Sequence, residues 1–62
     1  MPEAEVQVYR YEYWDERSRV HKASQLYATI HTIRNGLGSP LYDTVIWVPT
    51  ADVIDGIYIP KR

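Results

Sequence analysis

Residues 24–37, S-Q-L-Y-A-T-I-H-T-I-R-N-G-L, are the segment with the clearest helical period, and the predicted fold depends on them. Ser24 is a good N-cap because its hydroxyl can accept an unpaired backbone N–H of the first turn. Gly36 suits the end of a helix because glycine adopts the left-handed conformation at little cost. The large apolar residues recur at i, i+4, i+7 and i+11 along one side of a helix, at Leu26, Ile30, Ile33 and Leu37. The pattern predicts one amphipathic helix that packs on a sheet.

A β-hairpin is predicted before this helix. Residues 6–14, V-Q-V-Y-R-Y-E-Y-W, are rich in β-branched and aromatic residues and are typical of a strand. Asp15-Glu16 suits a turn. Residues 17–22 then form the returning strand, and their high charge is typical of a sheet edge, where lysine and arginine discourage unwanted pairing.

Two further strands are predicted after the helix. Residues 36–40, G-L-G-S-P, form a loop. Residues 44–48, T-V-I-W-V, are apolar without alternation, which is typical of a central strand buried on both faces. Asp55-Gly56 between apolar pairs predicts a tight hairpin turn. The alternative is a 3₁₀ turn at 51–54 followed by a single last strand at 57–59.

These elements predict an α+β fold, in which a ββαββ single sheet of three to four mainly antiparallel strands carries the amphipathic helix on one face. A helix of about 12 residues is roughly 18 Å long and 10 Å across, so it covers only one face of such a sheet. The first and third strands carry large apolar groups on both faces, which predicts an interaction site on the uncovered face. The alternative is a semi-exposed face whose tyrosines keep their hydroxyl groups in water.

The composition excludes several classes of protein. The 62 residues contain no cysteine, so they hold neither a disulfide nor a thiolate metal site. A net charge of −1 provides no general attraction to nucleic acid or anionic membrane, and no apolar run reaches the roughly 18 residues of a membrane span. The start, M-P-E-A-E, lacks the features of a secretory signal, so we expect a cytoplasmic protein. We also expect a frayed start over residues 1–5 and a single domain over 6–60.

No motif predicts an active site, a metal site or a cofactor. His21 and His31 lie ten residues apart on separate elements, a spacing that matches no metal site. Residues 35–39, N-G-L-G-S, follow a helix, whereas phosphate-binding loops precede one. Asp52 and Asp55 lack the alternating ligands and the distal glutamate of a calcium loop. We therefore expect a non-enzymatic protein without metal or cofactor.

The leading hypothesis is a protein–protein interaction module that forms a homodimer through an aromatic-rich sheet face. Tyrosine and tryptophan are favoured interface anchors because they bury a large area with few rotatable bonds. The predicted interface residues are Tyr9, Tyr11, Tyr13, Trp47 and Tyr58. A further hypothesis is a subunit or antagonist of a larger assembly, whose partner the sequence does not name.

The alternative hypothesis is a sequence-tolerant binder of single-stranded nucleic acid. Its tyrosines would stack on bases and its basic side chains would contact phosphates. The predicted residues for this function are Tyr9, Arg10, Tyr11, Arg17, Arg19 and Lys22. Five acidic residues oppose the four basic ones in this part of the chain: Glu3, Glu5, Glu12, Asp15 and Glu16. Because phosphate neutralisation contributes heavily to nucleic-acid affinity, nucleic acid is the less favoured partner.

Overall fold

The computed structural model describes residues 4–60, which form mostly strands together with one short helix and three single helical turns. The helix is α1 (Ile30–Thr32), continued by a π turn (Ile33–Leu37), and 3₁₀ turns lie at Tyr42–Thr44 and Thr50–Asp52. The strands are β1 (Glu5–Val8), β2 (Tyr11–Asp15), β3 (Val20–Ala23), β4 (Tyr27–Ala28), β5 (Ser39–Pro40), β6 (Ile46–Pro49), β7 (Val53–Ile54) and β8 (Ile57–Tyr58).

Three small antiparallel sheets contain these strands, with the orders β1–β6, β3–β2–β5 and β4–β8–β7. An α+β character is therefore observed, but the predicted single ββαββ sheet is not confirmed. The sheets are connected because the chain runs from β1 through Tyr9 into β2. Where the chain passes from the first sheet to the second, here called the crossing point, Tyr9 and Ala28 exchange two backbone hydrogen bonds with N···O distances of 2.8 and 2.9 Å. A predicted single strand at 6–14 is thus divided between two sheets.

Ser24 holds the crossing point together. Its hydroxyl accepts a hydrogen bond from the backbone N–H of Tyr11 at 3.0 Å and donates one to the carbonyl of Leu26 at 2.8 Å. The carbonyl of Ser24 accepts a bond from Nε of Arg10 at 2.7 Å. Since Ser24 is only 4% exposed, these bonds satisfy polar groups that water barely reaches.

The hydrophobic core is small and lies where β1, β4, β6 and the π turn meet. The fully buried apolar side chains among the described residues are Val8, Ala28, Ile33 and Val48. Only one member of the predicted apolar helix stripe, Ile33, belongs to this group. Leu26 is 54% exposed.

The predicted helix over residues 24–37 is wrong in its first half. Helical geometry begins after Thr29, whose Oγ1 accepts the N–H of Thr32 at 3.4 Å, so Thr29 is the N-cap. Tyr27 and Ala28 form β4 and pair with Tyr58 and Ile57 of β8. Long-range strand pairing therefore outcompetes a local helical period that contains several residues of low helix propensity. Gly36, the predicted end, breaks the helical geometry with a φ of 142°, but the π turn continues to Leu37 and Gly38 is its C-cap.

The predicted hairpin between the first two strands is confirmed, with residues 16–19 as its turn. The carboxylate of Asp15 organises this turn by accepting the N–H of Arg17 at 3.1 Å and the hydroxyl of Ser18 at 2.6 Å. Arg19 closes the turn with a φ of 54°. The returning strand begins only at Val20, three residues later than expected.

The end of the chain combines both predicted alternatives. A 3₁₀ turn is present at Thr50–Asp52, and a hairpin joins β7 to β8. Its turn residues Asp55 and Gly56 have φ values of 52° and 81°, and two successive positive φ values are typical of a type I′ turn.

The predicted central position of residues 44–48 is wrong. In the described part of the chain β6 pairs with β1 alone, so it is an edge strand, and Trp47 is 61% exposed. Glu5, within the predicted frayed start, pairs with Pro49, and residues 1–3 lie outside the described residues. No helix between residues 4 and 60 is long and apolar enough to span a membrane.

Candidate protein interface

Exposed apolar side chains outnumber buried ones in this fold. Nine large hydrophobic residues of the described chain are at least 36% exposed, against four that are fully buried. They are Trp14, Val20, Leu26, Tyr42, Val45, Ile46, Trp47, Ile54 and Ile59. Single exposed apolar residues are ordinary, but contiguous ones indicate an interaction site. Two contiguous surfaces can be distinguished.

The first surface is an open groove of about 1020 Å³ beside β2, here called the Tyr11 groove. Tyr11 and Tyr13 form one wall, since residues two apart in a strand point to the same side. Their ring centroids lie 6.3 Å apart with the planes tilted by 57°. Leu26 and Leu37 also line the groove, and they reach it through the bend after Ser24 and the turn at Gly36.

The second surface is formed by Trp47 together with Tyr9 and Ile30, and is here called the Trp47 surface. Trp47 lies opposite Gln7 in the β1–β6 ladder, on the same side as Tyr9. A shallow groove of about 430 Å³ runs between these strands and α1, and the polar residues Glu5, Gln7 and His31 also line it. Tyr9 also contacts Tyr42 edge-to-face, with ring centroids 5.8 Å apart. This surface therefore places exposed apolar side chains beside the edge of β6 that pairs with no other strand among residues 4–60.

The five predicted interface residues occupy three separate places. Tyr11 and Tyr13 belong to the Tyr11 groove, and Tyr9 and Trp47 belong to the Trp47 surface. Tyr58 lies in β8, where its ring packs edge-to-face against Tyr27 at 6.4 Å. The single aromatic sheet face that the sequence predicts is therefore divided, because the chain bends at Tyr9 and passes from one sheet to another.

Two of the four basic side chains predicted to contact nucleic acid have partners within the chain. Arg10 donates to the carbonyl of Ser24, and Nζ of Lys22 lies 2.8 Å from Oδ2 of Asp15. This contact with Lys22 lowers the pKa of Asp15 from 3.8 to about 2, with further contributions from Ser18 and the N–H of Arg17. The same hydrogen bond raises the pKa of Lys22.

The two remaining arginines, Arg17 and Arg19, are exposed in the hairpin turn. The ion pair between Asp15 and Lys22 therefore stabilises the hairpin's own turn, although the side chain of Lys22 is itself 48% exposed.

Several residues of these surfaces were not anticipated from the sequence. The helical period predicts that Leu26 lies between the helix and the sheet, and the sequence pattern predicts no role for Tyr42. Their exposure depends on the bend after Ser24 and on the 3₁₀ turn at Tyr42–Thr44, which no local pattern predicts. Trp14, which the sequence predicts as a large apolar group of the first strand, packs its ring against that of His21, with ring centroids 5.1 Å apart.

The described residues provide no set of ligands for a metal ion, since no three histidine, aspartate or glutamate side chains cluster among residues 4–60. Comparison with known proteins yields no family model that matches this chain, no similar curated protein and no similar solved structure.

Proposed function

We propose that this chain is a small non-enzymatic protein–protein interaction module that acts in the cytoplasm and associates first with itself, through the Trp47 surface. The observation that supports the proposal is Trp47, which is 61% exposed on an edge strand. Trp47 lies within residues 44–51, T-V-I-W-V-P-T-A, which carry no charge. Uncharged apolar edges are normally covered, because they pair readily with other chains.

The Trp47 surface is a better candidate than the Tyr11 groove. Tyr11 and Tyr13 are already half-buried, and Glu16 and Lys22 border their groove. Interface centres are typically depleted of charged residues and enriched in tryptophan and tyrosine. The strand around Trp47, whose residues 44–51 carry no charge, matches this description more closely.

The expected affinity is modest. If a tryptophan side chain offers about 250 Å² in full, the exposed part of Trp47 is about 150 Å². Burying it contributes about 4 kcal/mol per chain, or about 8 kcal/mol per dimer. Association costs roughly 4–15 kcal/mol, so the other apolar groups of the surface have to supply the remainder. We therefore expect a dimer with a Kd in the micromolar to millimolar range, on the order of 10⁻⁵ to 10⁻³ M.

Analytical ultracentrifugation over a wide concentration range tests this proposal. The unmodified chain is expected to pass from monomer to dimer, and Trp47→Ser is expected to remain monomeric. Trp14→Ser is the matched control, because Trp14 is 51% exposed but packs on His21 away from this surface. A monomer at millimolar concentration, or equal effects of the two substitutions, would contradict the proposal.

Binding of single-stranded nucleic acid is the second candidate. The adjacent rings of Tyr11 and Tyr13 in an open groove support it, since such rings stack on bases without regard to sequence. The exposed arginines of the hairpin turn would contact phosphates, so binding to a short mixed-sequence oligonucleotide should weaken with salt and in Arg17→Ala or Arg19→Ala. Binding that is absent, or insensitive to salt, would eliminate this candidate.

A further inference from the structure

The free strand edges of this fold differ in how well they are protected against pairing. In the described chain, the outer strand β3 carries His21 and Lys22, and β5 has two residues, one of them a proline. The two residues of β7 lie between Asp52 and Asp55. Charges, prolines and short strands of this kind prevent edge-to-edge association. The four residues of β6 include no charge, and their single proline is the last residue.

The backbone groups of Trp47 point away from β1. The N–H of Thr50 donates to the carbonyl of Ala4 at 2.9 Å, and directly bonded pairs alternate along an antiparallel ladder. Residues 46 and 48 therefore bond to β1, whereas residues 45, 47 and 49 present their backbone groups to the free edge. The other edge of β1 shows the same alternation. Tyr9, an odd-numbered residue like Glu5 and Gln7, directs its backbone groups away from β6 and bonds to Ala28.

The free edge of β6 complements a second copy of itself. In an antiparallel pairing centred on Trp47, each Trp47 exchanges two N–H···O bonds with the partner's Trp47. The N–H of Val45 then faces the carbonyl of the partner's Pro49, in both directions. Pro49 has no N–H, so this register satisfies the outward donors of residues 45–49 with four intermolecular bonds.

The side chains agree with this register. The two Trp47 side chains become a directly opposed pair on one side of the sheet, an arrangement that favours aromatic contact. Because residues 44–51 carry no charge, the pairing brings no like charges into opposition along the strand. Val45, Ile46 and Trp47, which are 37%, 36% and 61% exposed, all lie along the new contact.

We propose that β6 pairs antiparallel with β6 of a second copy, centred on Trp47, to form a continuous four-stranded sheet in the order β1–β6–β6–β1. This inference rests on the proposed self-association and specifies its geometry. A two-fold contact of this kind closes at two copies. The outer edges of the new sheet are those of β1, which are protected by the charge of Glu5 and by the bridge from Tyr9 to Ala28. The expected product is therefore a dimer and not a fibre.

An amide-to-ester replacement of the N–H of Trp47, introduced by chemical synthesis of the chain, tests the pairing without altering any side chain. Because this N–H points away from β1, the fold of the monomer should persist, which a thermal melt checks. Loss of two intermolecular bonds should weaken dimerisation by about tenfold or more. A dimer held only by contact between indole rings would be unaffected.

A second measurement needs no variant. In a mixture of isotope-labelled and unlabelled chains, the register predicts an intermolecular NOE between the Hα of Ile46 and that of the partner's Val48, which form a closely spaced pair. Dimers that show this NOE and weaken in the ester variant support the pairing. Dimers that lack the NOE or tolerate the ester overturn the pairing but leave self-association intact. A chain that remains monomeric at all concentrations overturns both proposals.

Discussion

Substituting Ser24 with aspartate tests which of two roles Ser24 has. It is either the N-cap of a helix or the residue whose hydroxyl joins Tyr11 to Leu26 where the chain passes between sheets. Aspartate is as good an N-cap as serine, so a helix that begins at Ser24 would tolerate the change within about 0.5 kcal/mol. In the observed fold the hydroxyl both accepts from Tyr11 and donates to Leu26. A carboxylate cannot donate, and at a position only 4% exposed it is barely hydrated.

The magnitudes follow from these contacts. Ser24→Ala removes two hydrogen bonds and should lower the free energy of unfolding by about 2 kcal/mol. Ser24→Asp buries a carboxylate and leaves the carbonyl of Leu26 without its donor, and it should cost about 3 kcal/mol or more even though the guanidinium of Arg10 lies nearby. Since a domain of this size is stabilised by roughly 3–5 kcal/mol, the aspartate variant is expected to be largely unfolded.

Urea titration followed by far-UV circular dichroism measures both changes. With a slope of about 1 kcal/mol per molar urea, Ser24→Ala should lower the midpoint by about 2 M. Ser39→Ala is the matched control, because Ser39 is exposed on β5 and should change the free energy of unfolding by less than about 0.5 kcal/mol. An aspartate variant as stable as the unmodified chain, with a stronger helical signal, would refute the assigned role of Ser24.

Two further predictions concern the turns. Gly38→Ala would overlap a backbone carbonyl of β2, whereas Gly36→Ala meets no atom within 4 Å, although both positions have a positive φ. We expect a loss of about 1–3 kcal/mol for Gly36→Ala from backbone strain and a larger loss for Gly38→Ala, and equal losses in urea titration would contradict the close approach. Because the pKa of Asp15 is lowered to about 2, its contacts stabilise the fold above pH 3.8 and are lost as the pH falls towards 2. Lys22→Met should raise this pKa towards 3.8 in an NMR titration, and an unchanged pKa would show that Lys22 is not the main cause.

Turn chemistry could be predicted well from the sequence because it is local. Asp55-Gly56 specifies its hairpin within four residues, since both positions must adopt positive φ. Asp15 likewise organises its own turn through side-chain bonds to the next few residues. In both cases the determining contacts lie within the window that a local pattern covers.

The helix and the central strand were predicted less well because their outcome depends on distant residues. Tyr27 and Ala28 fit a helical period, but pairing with Tyr58 and Tyr9 places them in the sheets. The apolar run around Trp47 resembles a buried strand, yet within residues 4–60 it forms an edge. Hydrophobicity alone does not specify whether a side chain is buried within its own chain or against another one.

For the candidate interface, the sequence predicted the residue types better than their arrangement. Trp47 was expected on an uncovered sheet face and is the most exposed of the nine large hydrophobic side chains. Its association with Tyr9, and its separation from Tyr11, arise from the change of sheet between these two tyrosines. Residues two apart in one uninterrupted strand would share a face, so the bend could not be inferred from alternation.

The pairing of β1 with β6 determines when the first strand can fold during synthesis on the ribosome. Glu5 pairs with Pro49, so 44 positions separate the two partners along the chain. At about 5–20 residues per second, translation needs roughly 2–9 s to supply the second strand after the first has been made. During that interval Val6 and Val8 have no β6 to pack against, whereas the hairpin of β2 and β3 can already form. The β1–β6 ladder can therefore form only after residue 49 has been made, and until then β1 lacks the strand with which it pairs.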